Sequence, residues 1–136
     1  NIRMENMELG FKATVEGDFE AVEARVREAL MAEGFGILTE IDVRSTLKKK
    51  IDVDFRPYKI LGACSPPLAH RALTAVPDAG LLLPCNVTLS QEEDGTIEVS
   101  IIDPIIMLSV GDLPELQPVA DEAGVRLKRV ADALNA

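Results

Sequence analysis

Five side chains that could bind a ligand, or react with one, lie in a short part of the sequence. Cys64 and Ser65 close an apolar stretch, and His70, the one histidine of the chain, lies six residues after Cys64. Cys85 and Asn86 lie in the next apolar stretch. Thiol, hydroxyl, imidazole and amide groups form polar contacts with small molecules or ions, and a thiol is also a nucleophile. We therefore treat these five residues as a candidate ligand-binding site and assign no catalytic residue.

The two thiols admit more than one interpretation. Cys64 is predicted at a strand end directly before a helix N-terminus, whose partial positive charge stabilises a thiolate or a bound anion. The alternative is an inert apolar role, because free cysteine is among the most buried residue types. Cys85 alternates with Val87 and Leu89, which favours a core position. If the two strands are neighbours, the sulfurs could meet as a reversible dithiol.

A metal site is the weakest interpretation of these residues. Two thiolates and the imidazole of His70 would lack a fourth protein ligand, and their spacing matches no recognised zinc motif. We therefore predict no metal and name no cofactor. The sequence also contains no phosphate-binding loop, nucleophile elbow or dinucleotide fingerprint. Whether the protein is an enzyme stays open at this point.

Hydrophobic periodicity predicts the elements that position these side chains. Alternation with a period of two predicts strands at residues 9–15, 36–43 and 81–89. Further strands are predicted at 58–65, which ends at the Pro66-Pro67 step, and at 96–103, which follows the hairpin turn. Within the strand at 36–43, the alternation places Ile37 and Thr39 on one face. Apolar residues at helical spacing predict helices between Asp18 and Gly34, at 45–51, from Pro66 to Pro77 and at about 114–134.

This order of elements predicts an α+β fold in one domain, residues 1–136. The late hairpin, marked by Asp94-Gly95, and the two long helices favour a two-layer sandwich with a mostly antiparallel sheet and helices on one face. The other face is then wet, folded into a groove or covered by a second subunit. An apolar cluster that begins in the last strand, in the segment from Ile101 to Leu108, predicts a homodimer contact, as does an open sheet face. Its members are Ile101, Ile102, Ile105, Ile106, Met107 and Leu108.

Composition excludes several functional classes. The chain has 136 residues, 47% apolar and 27% charged, so it is not intrinsically disordered, and no apolar run is long enough to span a membrane. A net charge of −9 and an aromatic content of 4% argue against nucleic-acid binding. The cysteine spacing is not that of a disulfide framework, and the first ten residues contain no signal-peptide core. We expect reduced thiols and a cytoplasmic location.

Three stretches of the sequence carry a family resemblance. Residues 62–73 (GACSPPLAHRAL) are followed by LLLPCNV at 81–87, and GFGILTEIDV at 34–43 precedes both. This combination resembles the domain-of-unknown-function family 302, a prokaryotic family in which a strand ends in Cys-Asn-Pro, an Ala-rich helix follows and the next strand opens with Leu-Leu-Pro-Cys-Asn. The resemblance covers about residues 9–104, ending at Asp103-Pro104, and Ser65 stands where the family commonly has Asn. It implies a β-α-β(4)-α sandwich similar in layout to the TATA-box-binding-protein fold, and it implies no activity.

Three functional hypotheses fit these observations. The favoured one is a homo-oligomeric module that binds a small molecule or ion in a cleft near Cys64, His70 and Asn86. A thiol-based redox or metal-dependent enzyme that uses Cys64 and Cys85 is the second, and a purely structural or interaction module is the third. Because the chain is acidic, a bound anion would have to rely on the N–H groups where the helix at Pro66 begins. A cation or a neutral ligand meets no such restriction.

Overall fold

One antiparallel sheet organises the molecule. The computed structural model describes residues 8–106, 111 and 113–136. The strands are β1 (Gly10–Val15), β2 (Gly36–Asp42), β3 (Tyr58–Cys64), β4 (Cys85–Gln91) and β5 (Ile97–Ile102). They lie in the order β1-β5-β4-β3-β2, and every neighbouring pair is antiparallel. The predicted α+β architecture is confirmed.

Four helices that lie entirely within the described ranges accompany the sheet. They are α1 (Phe19–Ala32), α2 (Val43–Ile51), α3 (Pro66–Ala75) and α4 (Gln117–Asn135), with 3-10 helices at Pro77–Leu82 and Pro114–Leu116. Asp18 caps the N-terminus of α1, because its carboxylate accepts a hydrogen bond of 2.8 Å from the Ala21 N–H. Gly34 follows α1 with φ +84°, a conformation that favours glycine and ends the helix. None of the helices in the described part of the chain is long and apolar enough to cross a membrane.

The core lies between the sheet and the two long helices, α1 and α4. Alternate residues of β4 and β5 point into it, so each strand shows the period of two that the sequence displays. Aliphatic side chains fill it almost entirely. The largest fully buried ones are Leu30, Leu61, Leu89, Ile97, Ile101, Leu127, Val22, Val26, Val87, Val99 and Val130. Cys85 opens β4 on this same inward face and therefore lies at one end of the core.

The opposite face of the sheet carries polar side chains together with apolar ones, since Ile41 and Ile60 lie in register with Thr88. Thr14, Thr88 and Ser100 alternate with core residues on their strands and retain exposure in the single chain. Lys12 and Glu98 form an ion pair of 3.0 Å on this face. The outer face therefore faces solvent in one copy of the chain.

A β-bulge in β2 changes which side chains meet the helices. Ile37 pairs with Ala63 and Thr39 pairs with Gly62, so Leu38 is an extra residue in the strand. Ile37 packs against the core, whereas Thr39 lies above Gly62 on the outer face. The predicted common face of Ile37 and Thr39 is therefore wrong, because simple alternation contains no bulge.

The bulge also brings an acidic side chain to the helix layer. Glu40 accepts hydrogen bonds of 2.8 Å from Arg27 and 3.2 Å from Lys59. Glu23 of α1, which is 9% exposed, accepts hydrogen bonds from the same two cations. Burial alone would raise the pKa of Glu23, but the hydrogen bonds from Lys59 and Arg27 outweigh burial and lower that pKa. These four charges tie α1 to β2 and β3.

The fourth strand begins later than the sequence predicts. The run predicted as a strand at 81–89 starts with the end of the 3-10 helix Pro77–Leu82, and a cis peptide bond joins Leu83 to Pro84. The ladder with β3 begins at Cys85. Leu82 and Leu83 bury part of their surface without joining the sheet, so their apolar character reflects packing at the sheet end.

The apolar cluster predicted as a dimer contact divides in the structure. Ile101 is fully buried in the core of its own chain, whereas Ile105 is 40% exposed. Ile102 and Ile106 are half-buried. Met107 and Leu108 lie outside the described residues. Among the described members of the cluster, Ile102, Ile105 and Ile106 keep part of their surface exposed.

Candidate functional site

A cavity of about 290 Å³ lies at the end of the sheet where β3 passes into α3. Cys64, Ser65 and Cys85 line its end beside the sheet. Most of the remaining wall comes from α3, α4 and the segment between α3 and β4, and Phe35 and Leu38 lie on the β2 side. The cavity opens to solvent beside Leu38, which is 69% exposed. This is a preformed pocket with an apolar wall and a few polar atoms at one end.

Small side chains create the empty space. Ala69 and Ala72 of α3 lie one helical turn apart, as do Ala120 and Ala123 of α4, and all four line the cavity. A larger apolar residue at any of these positions would occupy the volume. The alanine-rich character of α3 was visible in the sequence, but the distance between α3 and α4 was not.

The start of α3 offers few donors to a ligand. Pro66 and Pro67 occupy its first two positions and carry no N–H, which leaves Leu68 as the first backbone donor. The next N–H, that of Ala69, donates to the Ser65 carbonyl at 2.9 Å. The Ser65 hydroxyl makes no capping hydrogen bond to the helix. This helix N-terminus is therefore a poor anion site.

The two thiols have different surroundings. Cys85 is 7% exposed, and this burial raises the pKa of its thiol to about 11, with a smaller contribution from the negative charge that Cys64 can carry. Cys64 is half-buried at the cavity wall. Cys85 pairs with Ala63 across the ladder between β3 and β4, so Cys64 is the next residue along the neighbouring strand. Both cysteines are free thiols.

The structure separates the other two predicted site residues from the cavity. His70 is exposed on α3 and does not line it. Asn86 alternates with Cys85 along β4 and lies in a second depression of about 300 Å³, which it shares with Ile102 and Ile106. Three of the five predicted residues, Cys64, Ser65 and Cys85, therefore meet at one cavity. Within the described ranges no cluster of three or more His, Cys, Asp or Glu side chains could hold a metal ion.

Sequence reasoning missed the residues that shape the entrance. Leu38 lines the cavity only because the bulge displaces it, and Leu73, which is 41% exposed, reaches the opening from α3. No pattern in the sequence indicated that either leucine would border a pocket.

Comparison with known proteins identifies the family. The family model described as "Domain of unknown function DUF302" matches residues 11–134. The chain belongs to the DUF302 family. The resemblance seen in the motifs is confirmed, and the matched residues of this DUF302 domain extend past residue 104 through most of α4. They include every described residue that lines the cavity.

A solved structure supports the same assignment. The crystal structure of an uncharacterized conserved DUF302 protein from Bacillus stearothermophilus is similar to this chain with a TM-score of 0.85 and 29% sequence identity. The similarity covers 94% of this chain and 99% of that chain. No curated protein matches this DUF302 domain. The comparisons therefore establish family and fold and name no ligand.

Proposed function

We propose that this DUF302 domain is a small-molecule binding module whose ligand occupies the cavity between β3, α3 and α4. The cavity itself carries the proposal. At about 290 Å³ it has roughly twice the volume of an engineered apolar cavity of ~150 Å³ that binds benzene. A compound larger than benzene therefore fits it.

The position of the thiols favours binding over redox or metal chemistry. Burial holds the pKa of Cys85 at about 11, so at neutral pH this thiol is a poor nucleophile. His70, the third side chain of the metal site that the sequence disfavours, is exposed and lies outside the cavity wall. Cys64, Ser65 and Cys85 serve this proposal as contact residues.

A homodimer remains part of the proposal. The outer face of the sheet and the exposed part of the cluster at Ile102, Ile105 and Ile106 are the surfaces that support it. Sedimentation velocity at rising protein concentration tests it, and a monomer at all concentrations would remove it.

A cytoplasmic location fits two free thiols, because a reducing compartment keeps them reduced.

A filled cavity provides the decisive test of binding. We expect Ala69→Phe to occupy the cavity and weaken the binding of 1-hexanol or indole by about tenfold or more, measured by isothermal titration calorimetry. Ala75→Phe is the matched control, because Ala75 lies on the same helix, is exposed and does not line the cavity. If Ala69→Phe proves unstable, Ala69→Leu adds less volume at the same position. Equal affinities in cavity and control variants would refute the proposed site.

A further inference from the structure

The walls of the cavity carry no charge in the described part of the chain. No Asp, Glu, Lys, Arg or His is among the described residues that line it. Among the described residues that line it, those with a polar side-chain group are Cys64, Cys85 and Ser65. No described residue of this wall can neutralise an ionic group of a bound molecule. An ionic group held inside the cavity, away from its opening, would lose its hydration without receiving a partner of opposite charge.

Two further observations point in the same direction. Pro66 and Pro67 remove the first two N–H groups of α3, which are the donors a helix N-terminus would offer to an anion. Burial raises the pKa of Cys85 to about 11, so the protein disfavours negative charge at this end of the cavity. The two prolines are a geometric feature of the helix, and the raised pKa of Cys85 reflects the lack of water around its thiol.

We infer that the ligand of this cavity is an uncharged molecule, whose apolar body packs against α3 and α4 and whose single neutral polar group lies beside Cys64 and Ser65. This inference rests on the proposed function, because it names the chemical class of the ligand in the same cavity. The side chains of α3 and α4 that face the body are aliphatic, including Leu68, Ala72 and Val119. An alcohol or a neutral amide on an aliphatic or aromatic body has this character.

The half-buried thiol of Cys64 reports the charge preference directly. Methanethiosulfonate reagents transfer a short group to a thiol: the thiolate attacks the sulfenyl sulfur, an S–S bond forms, the S–SO2 bond breaks, and methanesulfinate leaves. The test uses a neutral methyl reagent, an anionic sulfonatoethyl reagent and a cationic trimethylammonium-ethyl reagent on the full chain. Modification of Cys64 is followed by mass spectrometry of its peptide.

An exposed thiol on the same helix corrects for reagent reactivity and for the charge of −9 on the chain. The double variant Cys64→Ser, Ala75→Cys supplies it, since Ala75 is exposed on α3. Relative to this control, we expect Cys64 to prefer the neutral reagent over each charged reagent by about tenfold or more. Equal preferences at the two positions, or a preference of Cys64 for either charged reagent, would overturn the inference.

Calorimetry with 1-hexanol and hexanoate at neutral pH separates this inference from the proposed function. If Cys64 reacts with none of the three reagents, the same calorimetry decides whether the cavity prefers an uncharged ligand. Binding of hexanol alone, weakened by Ala69→Phe, supports both proposals. Hexanoate binding as tightly as hexanol, with both weakened by Ala69→Phe, refutes the charge rule and retains the binding site. If neither compound nor indole binds while Cys64 keeps its preference for the neutral reagent, the proposed function fails and the uncharged character of the cavity stands.

Discussion

Adding one methyl group at Gly62 tests the packing that holds this end of the sheet. Gly62 lies in β3, two residues before Cys64, and its outer side is covered by two neighbours. A Cβ at this position would lie 2.1 Å from Thr39 Oγ1 and 2.6 Å from Pro84 Cγ. Since non-bonded carbon atoms pack at ~3.5–4.0 Å, both neighbours would have to move by about 1 Å. Pro84 directly precedes Cys85, so this movement reaches the cavity wall.

We expect Gly62→Ala to lower the free energy of unfolding by about 1–3 kcal/mol, the usual cost of adding a group to a packed site. Urea unfolding followed by circular dichroism measures it. Gly36→Ala is the matched control: Gly36 lies in the neighbouring strand, and a Cβ there meets nothing within 4 Å. The control should change stability by less than about 1 kcal/mol, in the stabilising direction.

A second substitution separates the two collisions. Thr39→Ala removes Oγ1, the closer of the two colliding atoms, so Gly62→Ala should cost less in the Thr39→Ala background by about 0.5 kcal/mol or more. The contact with Pro84 remains, and recovery is therefore partial. If Gly62→Ala is as stable as Gly36→Ala, the close approach of Thr39 and Pro84 to β3, and with it the bulge in β2, is refuted.

Three further predictions test the surrounding structure. Glu23→Gln should lower the free energy of unfolding by about 1–3 kcal/mol at pH 7, as measured by urea unfolding. Because the folded pKa of Glu23 lies below its ordinary 4.5, this loss should vanish as the pH falls through the folded pKa. A loss that persists at pH 2 would contradict the contacts with Lys59 and Arg27. Cys85, with its pKa raised to about 11, should resist iodoacetamide at pH 8 until the protein is unfolded, while Cys64 is modified first, as peptide masses will show. Leu127→Ala should destabilise by about 2–5 kcal/mol and the exposed control Val125→Ala by under about 1 kcal/mol in urea; similar losses would exclude α4 as the core helix.

Much of the architecture could be predicted from local patterns. The Asp18 N-cap and the stop at Gly34 delimit α1 because both act within one helical turn. The alternation at Val87 and Leu89 likewise identified buried positions on β4 correctly. These signals depend on neighbours in the chain, so the linear sequence contains them in full.

Other features depended on contacts between distant segments. The apolar run at 81–89 could not show that only its second half, from Cys85, joins the sheet, because apolar residues pack equally well beside a strand end. The bulge at Leu38 depends on the register between β2 and β3, which alternation within one strand does not specify. His70 and Asn86 were close to the thiols in sequence and lie outside the cavity in space.

The sequence by itself determined the family, the α+β class and the neighbourhood of Cys64, Ser65 and Cys85, because these depend on motifs, periodicity and charge. Only the tertiary structure decided that the site is an uncharged cavity. Its volume exists because alanines on α3 and α4 face each other across a gap, and no local pattern encodes the separation of two helices. The proposed preference for an uncharged ligand therefore rests on packing, whereas the acidity of the chain alone allowed a cation equally well.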